Sequence, residues 1–214
     1  MYNLPYYKEE DQAVIEEFLA QYPFAFLSGC DSENMPIATQ LPLFFEERED
    51  KKLLRGHLMK NTDHHKAFMQ NENVLAVFTG KNTYVSGNWY SNPHIASTWN
   101  YMSVHVKGVI RFLGNSELED VLRLTSLHFE NQNENSPTVF DNLPEAFKKR
   151  VMQAIVGFEI EVTEMDTVFK LSQDRDEKSY HNIIRKLKGQ DEDGRVIAEE
   201  MEKRAEKLFS RKDP

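Results

Sequence analysis

The sequence has only one cysteine, Cys30, among its 214 residues, so no disulfide can form within the chain. This is typical of a reducing compartment, and a lone cysteine on an apolar strand is more often a small core residue than a nucleophile. No apolar run approaches the roughly 18 residues of a membrane span, and the N-terminal residues lack the charged-then-apolar pattern of a signal peptide. These absences predict a cytoplasmic location.

Positive charge is also scarce: the sequence has 26 Lys and Arg residues and 35 Asp and Glu residues, which gives a net charge of −9. A chain this acidic is not drawn to the DNA backbone, so nonspecific binding would need a local basic patch. There is no HExxH motif and no cysteine cluster, and the adjacent His64 and His65 would point about 100 degrees apart on a helix. We therefore predict no metal site.

The stretch from Phe78 to Gly108, in contrast, is rich in aromatic and amide side chains. Both tryptophans, Trp89 and Trp99, lie in it, and residues 84–101 include five aromatic residues where the 11% average would give about two. Asn, Ser and Thr residues are interleaved with the rings. A site for a flat ligand with a polar edge needs such a mixture, because rings stack on its faces and hydrogen-bonding groups bind its rim.

Hydrophobic spacing predicts strands early and centrally, and helices late. The predicted strands are 24–30, 35–45 with interruptions at two prolines, 51–58, 74–78, 98–112, and two within 155–171 around a turn at 164–166. The predicted helices are 12–22, about 61–70, 116–129, 144–152, 178–188 and 195–211. Strands do not alternate regularly with helices. This order favours a mainly β (α+β) fold, an antiparallel barrel with appended helices, over a doubly wound parallel sheet.

Four segments, taken together, resemble the PaiB family, which is described as FMN-binding negative transcriptional regulators with a flavin-binding split-barrel fold. They are ATQLPL from Ala38, GHLMKN from Gly56, the aromatic stretch with YVS from Tyr84, WY from Trp89 and TWNY from Thr98, and KLSQDR from Lys170. The chain departs from the family pattern at Gln40, Thr62 and Asp174, where histidine, proline and asparagine are usual. The resemblance therefore assigns no catalytic role to position 40.

The resemblance implies a split-barrel domain over residues 1–175 and a C-terminal helical extension, packed on the barrel, over residues 176–214. It also implies FMN as the cofactor, bound at the interface of a homodimer, and a role in negative regulation of transcription. No DNA-reading element is visible in the sequence. The one basic helix worth testing carries Lys178, His181, Arg185, Lys186 and Lys188.

FMN needs cations or amides for its phosphate, apolar groups for its ring faces and hydrogen-bonding groups for its ring edge. In split-barrel flavoproteins a strand and the following helix start hold the flavin, and here that region is residues 57–66. Lys60 is the leading phosphate ligand, because a helix N-terminus favours anions. The predicted cofactor-binding residues are His57, Lys60, Asn61, Lys66, Tyr84, Ser86, Thr98, Trp99, Asn100, Lys170, Ser172 and Gln173.

Each of these residues also has a structural interpretation. Lys60 could be a solvated lysine beside a helix cap, and Lys170 a surface lysine or a ligand of the flavin. Strand alternation places Trp99 on the opposite face from Thr98 and Asn100. The aromatic stretch is thus expected to be shared between the flavin site and the subunit interface.

No acid–base pair or activated nucleophile stands out, so no catalytic residues are predicted and enzymatic activity stays open. The leading hypothesis is an FMN-binding regulator of the PaiB type. The first alternative is a flavin-dependent oxidoreductase acting on a small cytoplasmic substrate. The second is a haem-handling split-barrel protein with His57, His94 or His105 as the iron ligand.

Overall fold

The computed structural model describes residues 1–92 and 94–210. The chain forms two compact units, each assembled from separated segments. Unit 1 comprises residues 1–15, 79–104 and 166–214, and unit 2 comprises residues 16–78 and 105–165. The predicted domain boundary at residue 175 stays a prediction.

The described residues form seven strands, which lie in one sheet in the order β2-β1-β5-β6-β7-β4-β3. The strands are β1 (Phe24–Cys30), β2 (Pro36–Pro42), β3 (Phe44–Arg48), β4 (Lys51–Met59), β5 (Asn73–Val85), β6 (Thr98–Phe112) and β7 (Ile155–Lys170). β1 is antiparallel to β2 and β5, and β4 is antiparallel to β3 and β7.

Six α-helices accompany the sheet in the described residues. They are α1 (Gln12–Gln21), α2 (Asp63–Gln70), α3 (Asn115–Phe129), α4 (Glu145–Ala154), α5 (Glu177–Leu187) and α6 (Glu192–Phe209). Single-turn 3-10 helices lie at Pro5–Tyr7, Gly87–Trp89 and Phe140–Asn142. The predicted fold class, mainly β with appended helices, is confirmed. None of the described helices combines the length and apolar character needed to cross a membrane.

The single strand predicted over residues 35–45 was wrong, because two strands form there. β2 ends at Pro42 and β3 begins at Phe44. Between them Leu43 is fully buried, and its N–H donates to the carbonyl oxygen of Pro23 at 2.8 Å. Pro42 has no N–H to offer, so the ladder is interrupted next to it and the chain turns inward.

The turn predicted at residues 164–166 was also wrong, because β7 continues through it. Lys107 donates to both carboxylate oxygens of Glu164, at 3.0 and 2.9 Å, and Thr163 donates to the carbonyl oxygen of Lys107 at 3.2 Å. The charged residues that looked like a turn are therefore the outward-facing residues of a strand. Similarly, β5 runs on to Val85, beyond the predicted end at residue 78.

The core of unit 2 is built from alternate residues of β1, from consecutive buried residues of β4 and β7, and from the inner face of α2. At Gly29 an added Cβ would lie 2.9 Å from the ring of Phe68, so helix and strand pack too closely for a side chain there. Fully buried side chains of this unit include Leu27, Leu43, Leu54, Phe68, Phe78, Leu118, Phe158 and Ile160. This packing holds the start of α2 in a fixed place beside β4.

In unit 1, α5 and α6 pack on each other through a buried apolar face. The hydroxyl of Tyr180, which has no exposed surface, donates to the carbonyl oxygen of Met201 at 2.9 Å. Asp176 and Asp191 cap the two helices by accepting from the N–H groups of Ser179 and Gly194. Capped and packed in this way, α5 presents a fixed outer face.

Candidate functional site

A cavity of about 320 Å³ lies in unit 2 among β2, β4 and the start of α2. We call it the β4–α2 cavity, and its volume lies at the lower end of the range for small-molecule sites. Its lining residues are Thr39, Gln40, Leu41, His57, Leu58, Met59, Thr62, His64 and Ile155. Apolar side chains and hydrogen-bonding groups therefore meet in one place.

Strand pairing explains how this set is assembled. Along β4, Leu58 is buried and Met59 is exposed, while His57 is half-buried. Burial lowers the pKa of His57, so its imidazole is neutral at pH 7. Ile155 enters the cavity because it pairs with Met59 in the antiparallel register of β4 and β7. No local sequence pattern reveals that register, and Ile155 was missed for this reason.

The sequence predicts that the N-terminus of α2 attracts an anion, but in the structure protein side chains already occupy this helix end. The N-cap hydroxyl of Thr62 accepts from the N–H of His65 at 3.3 Å, and the carboxylate of Asp63 accepts from the N–H of His64 at 2.8 Å. That backbone hydrogen bond lowers the pKa of Asp63. Side chains thus already satisfy two N–H groups at this helix end, and one of these side chains is an anion. Attraction for a phosphate there depends on Lys60 and Lys66 instead.

Asn61 has a backbone role next to these lysines. Its φ of 65° lies in the left-handed region, which asparagine tolerates better than most residues. Its N–H donates to Nδ1 of the buried His65 at 3.1 Å. Burial, and secondarily the charges of His64, Lys60 and Lys66, lower the pKa of His65. A neutral His65 therefore fixes the turn that presents Lys60.

The predicted residue Lys170 lies in unit 1, where it is buried. Its ammonium group donates to Oγ1 of Thr98 at 2.5 Å and to the carbonyl oxygen of Trp99 at 2.7 Å. Burial lowers its pKa, the carboxylate of Asp174 opposes this shift, and the charge of Arg175 adds to it. Lys170 thus ties the end of β7 to the start of β6, which neither interpretation of the sequence foresaw.

Asn100 and Ser172 continue this arrangement. The hydroxyl of Ser172 donates to Oδ1 of Asn100 at 2.9 Å, and Nδ2 of Asn100 lies 3.5 Å from the sulfur of Met201. Asn100 has no exposed surface, and Ser172 has a left-handed φ of 61°. The side chain of Gln173 bonds to the backbone of residues 169 and 171. We call Thr98, Asn100, Lys170 and Ser172 the β7-end network.

The remaining predicted residues lie at the surface of unit 1. Tyr84 and Trp99 are exposed and pack edge to face, with ring centroids 6.1 Å apart. Ser86 caps the short helix Gly87–Trp89 by accepting from the N–H of Asn88. The structure therefore separates the predicted set into residues beside the β4–α2 cavity, the β7-end network and its neighbour Gln173, and a third group in which Tyr84 and Trp99 are exposed and Ser86 is half-buried.

No group of three or more His, Cys, Asp and Glu side chains in residues 1–92 and 94–210 is arranged to hold a metal ion.

The sequence profile of the family described as "Putative FMN-binding domain" matches residues 1–164. The protease synthase and sporulation protein PAI 2 of Bacillus subtilis (strain 168) is 32% identical over 208 residues, which cover 97% of this chain and 99% of that protein. This chain belongs to the PaiB family. The family assignment made from four motifs is confirmed, and the family description confirms FMN as the predicted cofactor.

Two solved structures share the fold of this PaiB-family chain. The FAD and haem binding protein from Mycobacterium smegmatis matches with a TM-score of 0.56 and 13% identity over 76% of this chain and 73% of that one. The flavocytochrome Anf3 from Azotobacter vinelandii matches with a TM-score of 0.54 and 16% identity over 79% of this chain and 72% of that one. The predicted split-barrel fold is confirmed.

Proposed function

We propose that this PaiB-family protein holds FMN in the β4–α2 cavity of unit 2. The observation that carries the proposal is the combination of apolar walls from Leu41, Leu58 and Ile155 with the polar groups of Gln40 and His57. FMN needs this combination, because its ring has apolar faces and a rim of donors and acceptors. The donor set present therefore fits the cofactor.

Lys60 and Lys66 would supply the positive charge for the FMN phosphate. Lys60 stands in the chain between the lining residues Met59 and Thr62, and its N–H is fixed to the carbonyl oxygen of Ala154 at 2.9 Å. Lys66 is exposed on α2. The neutral imidazole of His57 would serve the ring edge, because it offers one donor and one acceptor.

A flavin titration with charge-removing variants tests this placement. We expect Lys60→Gln to weaken FMN binding by about 1–3 kcal/mol, the scale for losing a charged hydrogen bond, and Lys66→Gln to weaken it less. Lys149→Gln, an exposed lysine of α4 outside the cavity, is the matched control. Unchanged titrations for both Lys60 and Lys66 variants would exclude the cavity as the phosphate site. A Soret band in the purified protein would favour the haem alternative.

We propose further that the protein is a homodimer. Phe24 and Phe26 lie on the same face of β1 and are 60% and 44% exposed, which is unusual for a protein that stays monomeric. Analytical ultracentrifugation should give twice the chain mass of 25.0 kDa. A monomer at all concentrations would contradict this proposal.

For the biological role, we propose a cytoplasmic, flavin-binding regulator. This rests on membership of the PaiB family and on the relative named as a sporulation protein. The alternative is an oxidoreductase, because bound FMN supplies a ring that accepts and donates electrons. Salt-dependent binding to promoter DNA and oxidation of NAD(P)H by the FMN-bound protein separate the two. Turnover without DNA binding would favour the enzyme.

A further inference from the structure

A second concave surface lies in unit 1, between the segment 89–91 and the outer face of α5. Its volume is about 570 Å³, and we call it the α5 groove. Its lining residues are Trp89, Tyr90, Ser91, Lys178, His181, Asn182 and Arg185. The four residues from α5 are spaced by three, one and three positions, so they lie on one face of the helix.

Hydrogen bonds fasten the two walls of the α5 groove together. The N–H of Ser91 donates to Oγ of Ser179 at 2.8 Å, and its hydroxyl donates to Asp176 at 2.9 Å. Further along the helix, Nδ2 of Asn182 donates to the carbonyl oxygen of Trp89 at 2.6 Å. The groove is therefore formed before any ligand arrives, which lowers the cost of binding.

The charge of the α5 groove is positive on its helical side. In the part of the chain that the structure describes, neither Lys178 nor Arg185 forms an ion pair with a carboxylate, and both are exposed. Arg185 is oriented by Asn182, whose Oδ1 accepts from its guanidinium at 2.5 Å. Two acids lie nearby: Asp176 accepts from the hydroxyls of Ser179 and Ser91, and the carboxylate of Glu177 lies 3.9 Å from Nε2 of His181. In this groove Lys178 and Arg185, which form no ion pair with a carboxylate in the described residues, line the same surface as the indole of Trp89, and together these groups favour an anion with a flat apolar part.

We propose that the α5 groove binds an organic anion that carries an aromatic ring. The ring lies against Trp89, and the anionic group lies between Lys178 and Arg185. A nucleoside phosphate and an aromatic carboxylate share this chemistry. The proposed site is separate from the proposed FMN site, because the β4–α2 cavity and the α5 groove share no residue.

Isothermal titration calorimetry on the full chain, with and without FMN, tests the proposal. The probes are adenosine 5′-monophosphate and benzoate, with adenosine and inorganic phosphate as comparators that lack either the charge or the ring. We expect saturable binding of at least one aromatic anion. Each comparator should bind at least about tenfold more weakly, because adenosine lacks the charged contact and inorganic phosphate lacks the ring contact.

Variants on the same helix locate the site. Lys178→Gln should weaken binding of the aromatic anion about tenfold or more, whereas Lys186→Gln should not, because Lys186 is exposed on α5 outside the groove. In a Trp99→Phe background Trp89 is the only tryptophan, so its fluorescence should change on binding. The proposal is overturned if neither aromatic anion binds, if Lys178→Gln binds as wild type does, or if the probes act only by displacing FMN.

Discussion

The β4–α2 cavity and the β7-end network contain similar residue types but use them in opposite ways. Both come from segments that match the family motifs, and both involve lysine: Lys60 follows the lining residue Met59 in the chain, and Lys170 belongs to the network. Next to the cavity lining in the chain, Lys60 is partly exposed, and Lys66 is exposed on α2. In the network, the ammonium of Lys170 bonds to Thr98 and Trp99 inside the protein.

The difference teaches how to tell a binding residue from a structural one. A buried polar group that already has its partners contributes to folding, and removing it leaves those partners unsatisfied. A partly exposed cation beside a cavity contributes little to folding but is available to an anion. On this view the network maintains the shape of unit 1, and the cavity residues determine flavin affinity.

The largest effect is expected for Lys170→Met, which keeps the length of the side chain and removes the ammonium. It leaves the Thr98 hydroxyl and the Trp99 carbonyl without their charged donor. We expect the free energy of unfolding to fall by about 1.5–3 kcal/mol, the range for hydrogen bonds to charged groups. Urea denaturation of the variant and the wild type measures this difference.

Lys60→Met is the matched control for that measurement. Because Lys60 is partly exposed beside the β4–α2 cavity, the unfolding free energy of the Lys60→Met variant should stay within about 0.5 kcal/mol of the wild-type value. The comparison of the two regions fails if Lys170→Met unfolds like the wild type and loses FMN instead.

Ser172→Ala should have a smaller effect in the same direction. It removes the buried hydrogen bond to Oδ1 of Asn100 and leaves that oxygen without its donor. We expect a loss of about 1–2 kcal/mol in unfolding free energy, with unchanged FMN affinity. Ser116→Ala, on the exposed first turn of α3, provides the control. A weakened flavin titration with unchanged stability would instead place Ser172 in the cofactor site.

Local patterns predicted much of the fold. The apolar run after Pro23 gave the bounds of β1, alternation gave those of β6, and capping residues and apolar spacing located the helices. The strand errors lay at Leu43, at residues 164–166 and at the end of β5. At Leu43 and at residues 164–166, the structure of a proline or of outward-facing charged residues depends on the neighbouring strands. Local patterns therefore fail where the partner strand decides the structure.

The candidate site was harder to predict from the sequence than the fold, because its residues come together through contacts between distant segments of the chain. The presence of Ile155 in the cavity depends on pairing with a strand about a hundred residues earlier in the chain. The buried state of Lys170 depends on the start of β6. The helix end was misjudged because a sequence does not show that Asp63 folds back onto the N–H of His64.

The pH dependence of stability should give the smallest and most gradual effect. The pKa of His65 is lowered by burial, and Nδ1 accepts from the N–H of Asn61, so protonation would replace an acceptor with a second donor. Between the lowered pKa and the ordinary pKa, His65 is therefore protonated in the unfolded chain and neutral in the folded chain. This contribution to stability is complete above the ordinary histidine pKa of about 6.5 and decreases as the pH falls below it.

The measurement compares unfolding free energies between pH 7.5 and 5.5 for the wild type, His65→Gln and His57→Gln. Both variants should depend less on pH, because burial lowers the pKa of His57 too. Saturating FMN tests the placement of the flavin. A ligand in the β4–α2 cavity changes the surroundings of His57, which lines it, and a phosphate beside Lys60 and Lys66 would offset the charges that contribute to the lowered pKa of His65. If FMN leaves the pH dependence attributable to His57 unchanged, the flavin is not in this cavity.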